Sequence, residues 1–308
     1  MTALELDWDR TSHEAWHALL AAAGRSSLQQ GWAYGAALMK GGVEVHRAVV
    51  RDLTGAPLAC AQIAVRRVLG LRRIAFLLRG PVRLAPDEAV EDRAVEMICR
   101  RLGRAALLWA PERPEPLSRL HGQRPVVTGY STAWLDLAPG PSHLRRILHG
   151  KWRNRLARAE RAGIEVRIAD PLLVGWLLDR NEQHRRTVGY RGPSRAFLGR
   201  LAEAAAAQGD LLALIACEAG IAVAGVLFVR HGAAATYEVG YGSPRGRALR
   251  AKHLLLWRAL AMLHERGVRW VDLGGIDTDR SPGIARFKLG LGGEPVTLAG
   301  TFFWPTGK

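Results

Sequence analysis

The sequence predicts an α/β protein of two tandem domains, each a mixed, mostly antiparallel sheet flanked by helices. Its 308 residues suit two domains of about 150 residues, each able to bury its own core. Apolar residues make up 48% and charged residues 23%, as in ordinary globular proteins. Segments with strand-like alternation recur between segments with helical spacing in both halves. Pro139-Gly140-Pro141 is the best linker, which predicts domains at 1–140 and 141–308.

The first domain is predicted from a helix pair, a hairpin and a later helix that precedes a strand. The turn Asp52-Leu53-Thr54-Gly55 separates two apolar runs, as in a hairpin. Ala94, Ile98 and Leu102 share one side of an amphipathic helix. The predicted elements are, in order, helices at 13–23 and 28–40, strands at 43–51, 58–65 and 73–78, a helix at 87–102 and a strand at 105–110.

The second domain is predicted to begin after a strand at 131–137 with a long basic helix. Leu144, Leu148 and Trp152 recur there at three-to-four spacing, and Gly163 stops the pattern. The predicted elements are a helix at 142–162, a strand at 164–168, helices at 171–187 and 194–208, strands at 211–217, 221–229 and 233–241, a helix at 247–266, a strand at 268–273 and a closing strand at 296–303.

The net charge of +16 implies an anionic partner, such as tRNA, a nucleotide pyrophosphate or a phospholipid surface. Residues 141–200 hold 14 Lys or Arg against 5 Asp or Glu, so 14 − 5 = +9 of this charge falls in one-fifth of the chain. We therefore expect the anion-facing surface in the middle of the sequence. Contact with an anionic membrane is one form that this partner could take.

Compartment signals favour the cytoplasm. The first 16 residues carry acids where a signal peptide needs a basic start and an apolar run. The longest apolar stretch, 211–229, is interrupted by Glu218 and Gly220, so we predict no transmembrane segment. Cys60, Cys99 and Cys217 are dispersed in apolar surroundings, as expected for reduced, buried thiols.

One segment near the C-terminus ends a strand in a glycine turn and then places one lysine after it. The segment is WVDLGGIDTDRSPGIARFKLGLGG, residues 270–293. Lys288 is one of five lysines among 44 basic residues, the rest being arginine. An ammonium group in so arginine-rich a chain suggests a compact point charge placed for chemistry. An ordinary surface lysine at a helix end is the alternative.

Four other segments carry residues suited to anions or substrates. A basic helix can approach an RNA backbone, and guanidinium groups suit bidentate phosphate contacts, although a solvated helix face gives the same pattern. Tyr237 and Tyr241 are expected on one strand face, where they line a cleft or pack in the core. The segments are SSLQQGWAYGAALMKGG (26–42), KWRNRLARAERAGIEV (151–166), HRRTVGYRGPSRAFL (184–198) and YEVGYGSPRGRALRAKHLLLWRAL (237–260).

Together these segments resemble the FemABX-type aminoacyltransferases, which move an amino acid from aminoacyl-tRNA onto a peptidoglycan precursor. Residues 270–293 resemble the family's C-terminal signature, and residues 151–166 resemble the start of its second domain. The resemblance implies two GNAT-like domains and amide formation on a peptidoglycan precursor or another peptide acceptor. Aminoacyl-tRNA would be a co-substrate, and no cofactor would be needed.

The resemblance also implies roles for particular residues. Lys288 would stabilise the tetrahedral oxyanion, with Phe287 fixing its approach. No general base is evident, and the substrate's own groups would relay the proton. The implied substrate-binding residues are Trp32, Lys40, Arg186, Tyr190, Arg191, Arg195, Tyr237 and Tyr241. The basic helix offers Lys151, Arg153, Arg155 and Arg158 to tRNA.

Three alternatives stay open from the sequence. An acyl-coenzyme A N-acyltransferase is one, because residues 243–248 half-match the pyrophosphate loop of the GNAT fold. A FemABX-like enzyme acting on a natural-product peptide is another. The third is a non-catalytic module that binds tRNA or a membrane surface through its charge. The chain has no G-x-S-x-G, H-E-x-x-H, Walker or strand-following G-x-G-x-x-G motif, and its histidines lack metal-ligand spacing.

Overall fold

The structure is a computed structural model that describes residues 4–68, 72–87, 89–115, 124–189 and 192–304. The chain divides into two compact units, and the prediction of two mixed sheets flanked by helices is confirmed. The first unit comprises Met1–Ser131, His231–Ala233 and Val296–Lys308, and the second comprises Thr132–Arg230 and Ala234–Pro295. The division therefore lies nearer residue 131 than the predicted 140, and the C-terminal segment groups with the first unit.

The first sheet has the strand order β1-β2-β3-β4-β6-β14, with β5 also paired to β3. Its ladders are antiparallel except between β4 and β6, which are parallel. The elements before residue 131 are β1 Leu4–Trp8, α1 His13–Ala23, a 3₁₀ turn Leu28–Gln30, α2 Trp32–Lys40, β2 Glu44–Asp52, β3 Pro57–Val68, β4 Arg72–Leu78, β5 Val82–Arg83, α3 Ala89–Leu102 and β6 Ala106–Ala110, and β14 is Phe302–Trp304.

The second sheet has the strand order β13-β7-β12-β11-β10-β9-β8. The pair β11–β12 is parallel, whereas β12 runs antiparallel to β7 and β10 antiparallel to β9. The remaining elements are β7 Ser131–Asp136, α4 Gly140–Ile147, α5 Gly150–Glu160, β8 Glu165–Ile168, α6 Pro171–Val188, α7 Arg195–Ala206, β9 Leu211–Glu218, β10 Ile221–His231, β11 Ala234–Gly242, α8 Pro244–Ala248, α9 Ala251–Glu265, β12 Trp270–Asp272, α10 Pro282–Leu289 and β13 Glu294–Thr297.

Helices cover the second sheet on both faces. On one face, apolar residues of α4, α5 and α9 share a core with alternate residues of β7, β9, β10 and β11. On the other face, Leu177 of α6 packs closely against Gly225 of β10. A Cβ at Gly225 would lie only 2.8 Å from Cδ1 of Leu177. Burying both faces explains why β9 and β10 read as continuous apolar runs rather than as alternating ones.

The predicted long helix at 142–162 is wrong, because the structure breaks it into α4 and α5. Leu148 is extended, with ψ of 133°, although its side chain stays in the core. The backbone N–H of His149 donates to the carbonyl of Gly290 at 3.0 Å instead of continuing the helix. The apolar spacing runs through this break, so periodicity alone could not reveal it.

Other predicted boundaries differ locally. The predicted helix at 28–40 starts with a 3₁₀ turn, and Gly31 separates that turn from α2. The predicted closing strand at 296–303 is two strands, β13 and β14, which belong to different sheets. Cys60, Cys99 and Cys217 are buried, as expected. Within the described residues, no helix has both the length and the apolar character needed to cross a membrane.

Candidate active site around Lys288

Lys288 lies in the last turn of α10, the helix that follows β12 and its glycine turn. Its Nζ donates a hydrogen bond to the carbonyl oxygen of Gly275 at 2.9 Å and lies 5.8 Å from the centroid of the Tyr237 ring. Gly274 has a φ of +72°, and a Cβ there would sit 3.3 Å from this Nζ. Glycine therefore lets the turn take its left-handed conformation close to the ammonium group.

The lysine stands where two strands part. β11 and β12 pair over only three residues, ending with Thr236 opposite Asp272. Beyond this point β11 continues to Gly242, whereas β12 gives way to the glycine turn. Beyond Thr236, no strand of the described residues pairs with this edge of β11, and we call this unpaired stretch the gap beside β11. Tyr237 belongs to the stretch, and its ring lies beside the Lys288 ammonium.

Two carboxyl groups accompany the lysine. Asp272 is fully buried, and its Oδ1 accepts hydrogen bonds from the hydroxyl of Thr132 and from the backbone N–H of Gly274. Glu238 is partly buried and lies two residues beyond Thr236 on β11. The charge of Asp272 raises the pKa of Glu238, so the two carboxyl groups lie within electrostatic range of each other.

Burial shifts the pKa values of Glu238 and Lys288 toward neutrality. Burial raises the pKa of Glu238 to about 7, and the negative charge of Asp272 adds to the rise while Lys288 opposes it. Burial lowers the pKa of Lys288 to about 8, against the opposing effect of Asp272 and Glu238. A carboxyl group and an amine whose pKa values both lie near neutral pH make this cluster a candidate catalytic site.

Sequence reasoning missed Glu238 and also Lys252. Glu238 is the sole charged residue in β11, and an isolated acid in a buried strand was the signal available. Lys252, in the first turn of α9, has its Nζ 5.1 Å from the centroid of the Phe287 ring. Burial and the neighbouring Arg247 lower the pKa of Lys252, and its charge in turn depresses the pKa of Lys288.

Phe287 is held by an aromatic cluster on the α5 and α9 side of the site. The indole N–H of Trp152 donates to the Phe287 carbonyl oxygen at 3.0 Å. The Phe287 ring meets the His253 ring edge-on, with centroids 5.0 Å apart. Burial lowers the pKa of His253 to about 4, so the imidazole is neutral at physiological pH and packs as an aromatic ring.

The two tyrosines do not share one strand face. Tyr237 is buried against Phe228, with ring centroids 5.1 Å apart, whereas Tyr241 meets Trp176 of α6 edge-on at 5.7 Å. A Cβ at Gly240 would overlap the Tyr237 hydroxyl at 1.6 Å, so residues 237 and 240 point the same way. This departure from simple alternation reverses the face of Tyr241 and corrects the prediction.

The four basic residues expected to bind tRNA all lie exposed on α5. Trp152, Leu156 and Ala159 are buried on the opposite side of the same helix. Within the described part of the chain, none of the four has a carboxylate within ion-pair distance. The four are Lys151, Arg153, Arg155 and Arg158.

Arg186 on α6 and Arg195 on α7 form ion pairs with carboxylates, and their predicted role in substrate binding stays a prediction. Glu182 accepts from Arg186 at 2.8 Å, and Asp179 accepts from Arg195 at 2.7 Å. These groups line a shallow surface groove with Gln183 and Thr187. Tyr190 and Arg191, the other two predictions in this segment, lie outside the described residues.

Trp32 and Lys40 belong to the first unit and are described there by themselves. Trp32 begins α2, and the guanidinium carbon of the buried Arg47 lies 3.5 Å from its ring centroid. Lys40 is exposed in the last turn of the same helix. Their predicted role in substrate binding stays a prediction.

The turn that half-matches a pyrophosphate loop is occupied by its own side chains. The Ser243 hydroxyl accepts a hydrogen bond from the N–H of Gly246 at 3.0 Å, and Arg245 forms an ion pair with Glu218. Gly246 packs against β10, where a Cβ would lie 2.3 Å from the Val223 carbonyl oxygen. No metal-binding group of three or more His, Cys, Asp or Glu residues occurs in the described residues.

Comparisons with known proteins agree with this architecture. Residues 142–289 match the acetyltransferase (GNAT) domain family. The crystal structure of FemX superimposes with a TM-score of 0.82 and 13% identity, covering 97% of both chains. A tandem GNAT protein from the clavulanic acid biosynthesis pathway gives a TM-score of 0.54 and 15% identity over 99% of each chain.

A third solved structure is the C-terminal domain of a putative lysylphosphatidylglycerol synthetase from Agrobacterium fabrum. It gives a TM-score of 0.53 and 16% identity, covering 96% of this chain and 93% of that one. No curated protein sequence matches the chain. The chain therefore has the tandem GNAT-like fold of FemX, and the fold implied by its resemblance to the FemABX type is confirmed.

Proposed function

We propose that the protein is an acyltransferase that moves an aminoacyl group from aminoacyl-tRNA to the amine of a peptide acceptor, forming an amide bond. The observation that carries the proposal is the partly buried ammonium of Lys288 at the gap beside β11, with the carboxyl group of Glu238 in its electrostatic field. The acetyltransferase domain match supports acyl transfer in general. The likeness to FemX favours an aminoacyl donor.

Lys288 acts on the developing negative charge. The ester of a charged tRNA is already activated, so the protein must align the amine and stabilise the tetrahedral oxyanion. The amine attacks the ester carbonyl carbon, and the carbonyl π pair moves to oxygen. Lys288 uses one ammonium hydrogen on Gly275, which leaves two to donate to that oxygen. Collapse of the intermediate forms the amide and breaks the bond to the ribose oxygen.

Glu238 handles the proton. The attacking amine loses one proton as the C–N bond forms, and the ribose oxygen gains one as it leaves. A carboxylate with a pKa of about 7 can accept the first proton and return it to the leaving oxygen, so the reaction consumes no net proton. Asp272 is unsuited to this task because Thr132 and Gly274 already donate to its Oδ1.

The α5 surface offers the donor tRNA an unpaired basic face. Its exposed Lys and Arg side chains suit contacts to a phosphate backbone. The acceptor is a peptidoglycan precursor or another peptide amine. The FemX likeness favours the precursor, whereas the tandem GNAT protein of the clavulanic acid pathway favours a natural-product substrate. The net charge of +16 also favours an acceptor displayed at an anionic membrane.

Transfer from a mixture of radiolabelled aminoacyl-tRNAs to a precursor pentapeptide tests the proposal. We expect RNase to abolish transfer and Lys288→Ala to lower kcat by about 100-fold or more, as for loss of an oxyanion donor. Glu238→Gln should lower kcat by about 10-fold to 100-fold. RNase-resistant transfer, or full activity of Lys288→Ala, would refute the donor or the role of the lysine respectively.

The pH profile gives an independent check. Transfer needs Glu238 ionised, which requires a pH above its pKa of about 7, and Lys288 charged, which requires a pH below about 8. We therefore expect a narrow bell-shaped profile of kcat between these values. Glu238→Gln should remove the acidic limb and move the basic limb to lower pH, because the negative charge of Glu238 raises the pKa of Lys288.

An acyl-coenzyme A N-acyltransferase is the second candidate, favoured by the acetyltransferase domain match. Against it, the turn at the start of α8 already uses the Gly246 N–H to bind Ser243. Label moving from acyl-coenzyme A in the presence of RNase would support this candidate over the first.

A further inference from the structure

Two hydrogen bonds join α5 to the backbone on either side of Lys288. The indole Nε1 of Trp152 donates to the carbonyl oxygen of Phe287, and the backbone N–H of His149 donates to the carbonyl oxygen of Gly290, each at 3.0 Å. Phe287 precedes the lysine and Gly290 follows it by two residues. The helix that carries the basic face therefore also holds the turn that carries the lysine.

Close packing reinforces these bonds. The Trp152 ring centroid lies 6.1 Å from that of Phe287 and 4.9 Å from that of His253. A Cβ at Gly290 would lie 2.8 Å from Cδ1 of Trp152, so a larger residue there would displace the indole. Trp152 therefore contacts α10 in three ways. Its N–H is hydrogen-bonded to Phe287, its ring packs near the Phe287 ring, and its Cδ1 lies close to Gly290 at the end of the helix.

We propose that Trp152 is a positioning residue for Lys288. Its indole holds the last turn of α10 so that the ammonium stays at the gap beside β11, hydrogen-bonded to the carbonyl oxygen of Gly275. The proposal rests on the function proposed above for Lys288. Trp152 itself is buried, so it acts through the lysine rather than on a substrate.

The direct test measures Lys288 without any substrate. Trace acetylation of the intact protein is followed residue by residue by mass spectrometry, which is practical because the chain has five lysines. For each lysine, the acetylation rate at pH 7.5 is divided by the plateau acetylation rate at high pH. This fraction corrects for how accessible the lysine is to the reagent. Trp152→Phe keeps a ring but loses the N–H, and we expect it to lower this fraction at Lys288 by roughly fivefold, because a loosened lysine regains water.

Trp257→Phe is the matched control. Trp257 packs on the same core and under the guanidinium of Arg145, at the middle of α9 rather than against α10. We expect its labelling fraction at Lys288 to equal that of the wild type. An equal loss in both variants, or no change in Trp152→Phe with folding verified by melting temperature, would overturn the proposal.

Kinetics provide the second readout. Trp152→Phe should lower kcat by about 10-fold while KM for aminoacyl-tRNA stays within twofold, and the basic limb of its pH profile should move upward. An effect on KM alone would assign Trp152 to donor binding and refute positioning. If the wild type transfers nothing, the proposed function fails, whereas the labelling result still decides whether Trp152 controls Lys288.

Discussion

Two arginine-rich regions of the second unit look alike in sequence and differ in what their charges do. On α5, Lys151 and its arginine neighbours are exposed without carboxylate partners among the described residues. On α6 and α7, Glu182 binds both Arg185 and Arg186, and Asp179 binds Arg195. Paired guanidinium groups must give up a partner before they can bind an anion, so the density of basic residues overstates the anion-facing surface. Of these two regions, α5 is the one whose charges are available to a phosphate backbone.

The largest effect is expected from removing the charges of α5 together. Replacing its four exposed basic residues by alanine should weaken tRNA binding by about 100-fold or more. The slope of log K against the logarithm of the salt concentration should fall by roughly three. The matched variant replaces the paired Arg185, Arg186 and Arg195. It also replaces Arg180, which donates to the side-chain oxygen of Gln183, so that four positive charges are removed in all. It should weaken binding by less than about threefold. Equal losses in filter-binding titrations would erase the distinction between the regions.

A single change on α5 should have an intermediate effect. Arg153→Ala removes one exposed guanidinium group and should weaken tRNA binding by about fivefold, with the salt slope reduced by about one. Arg186→Ala is its counterpart on α6, where the side chain is bound to Glu182. In titrations at several salt concentrations, the tRNA affinity of Arg186→Ala should stay within twofold of that of the wild type. A larger loss of affinity would contradict the comparison.

Releasing the paired arginines should have a smaller effect of opposite sign. Glu182→Gln removes the carboxylate that holds Arg185 and Arg186, so we expect tRNA affinity to rise by about twofold to threefold. Glu14→Gln, an equal change of charge in the first turn of α1, serves as the control. A rise of the same size in both variants would attribute the effect to net charge alone.

The smallest effect is expected in acid. Hydrogen bonds from Arg185 and then Arg186 lower the pKa of Glu182 to about 2, from an ordinary value of 4.5. A depressed carboxyl pKa contributes stability above the unfolded value, and that contribution is lost as the pH falls through the folded value. The melting temperature of wild type should exceed that of Glu182→Gln slightly at pH 7, and the gap should close by about pH 2. A constant gap would contradict the pairing.

The pairs on α6 and α7 show which contacts sequence could have revealed. Glu182 stands three and four residues before its arginines, a spacing that places them on one helix face. Asp179 and Arg195 are 16 residues apart on different helices, so their ion pair depends on how α6 packs on α7. Helical spacing could therefore have revealed two of these three ion pairs, and the number of free arginines expected from the sequence was too high.

At the candidate active site, the sequence led to Lys288 but not to its surroundings. A lone lysine after a glycine turn is a local pattern, and the predicted fold follows from local periodicity in the same way. Glu238 acquires its pKa from burial and from Asp272, which lies 34 positions away on another strand. Trp152 had been assigned to core packing by its spacing, whereas its N–H contact crosses to a helix 135 residues later. Tertiary contacts of this kind leave no local pattern.

Residue 240 is restricted to glycine by the Tyr237 ring, which also lies beside Lys288. Any side chain at this position would occupy the place of the Tyr237 hydroxyl, with the ring carbon Cζ only 2.6 Å from its Cβ. Since the same ring lies beside the Lys288 ammonium, enlarging residue 240 would displace the aromatic wall of the site. Residue 240 can thus be enlarged only where residue 237 is smaller than tyrosine, so a homologue that has lost this glycine should also have replaced the tyrosine.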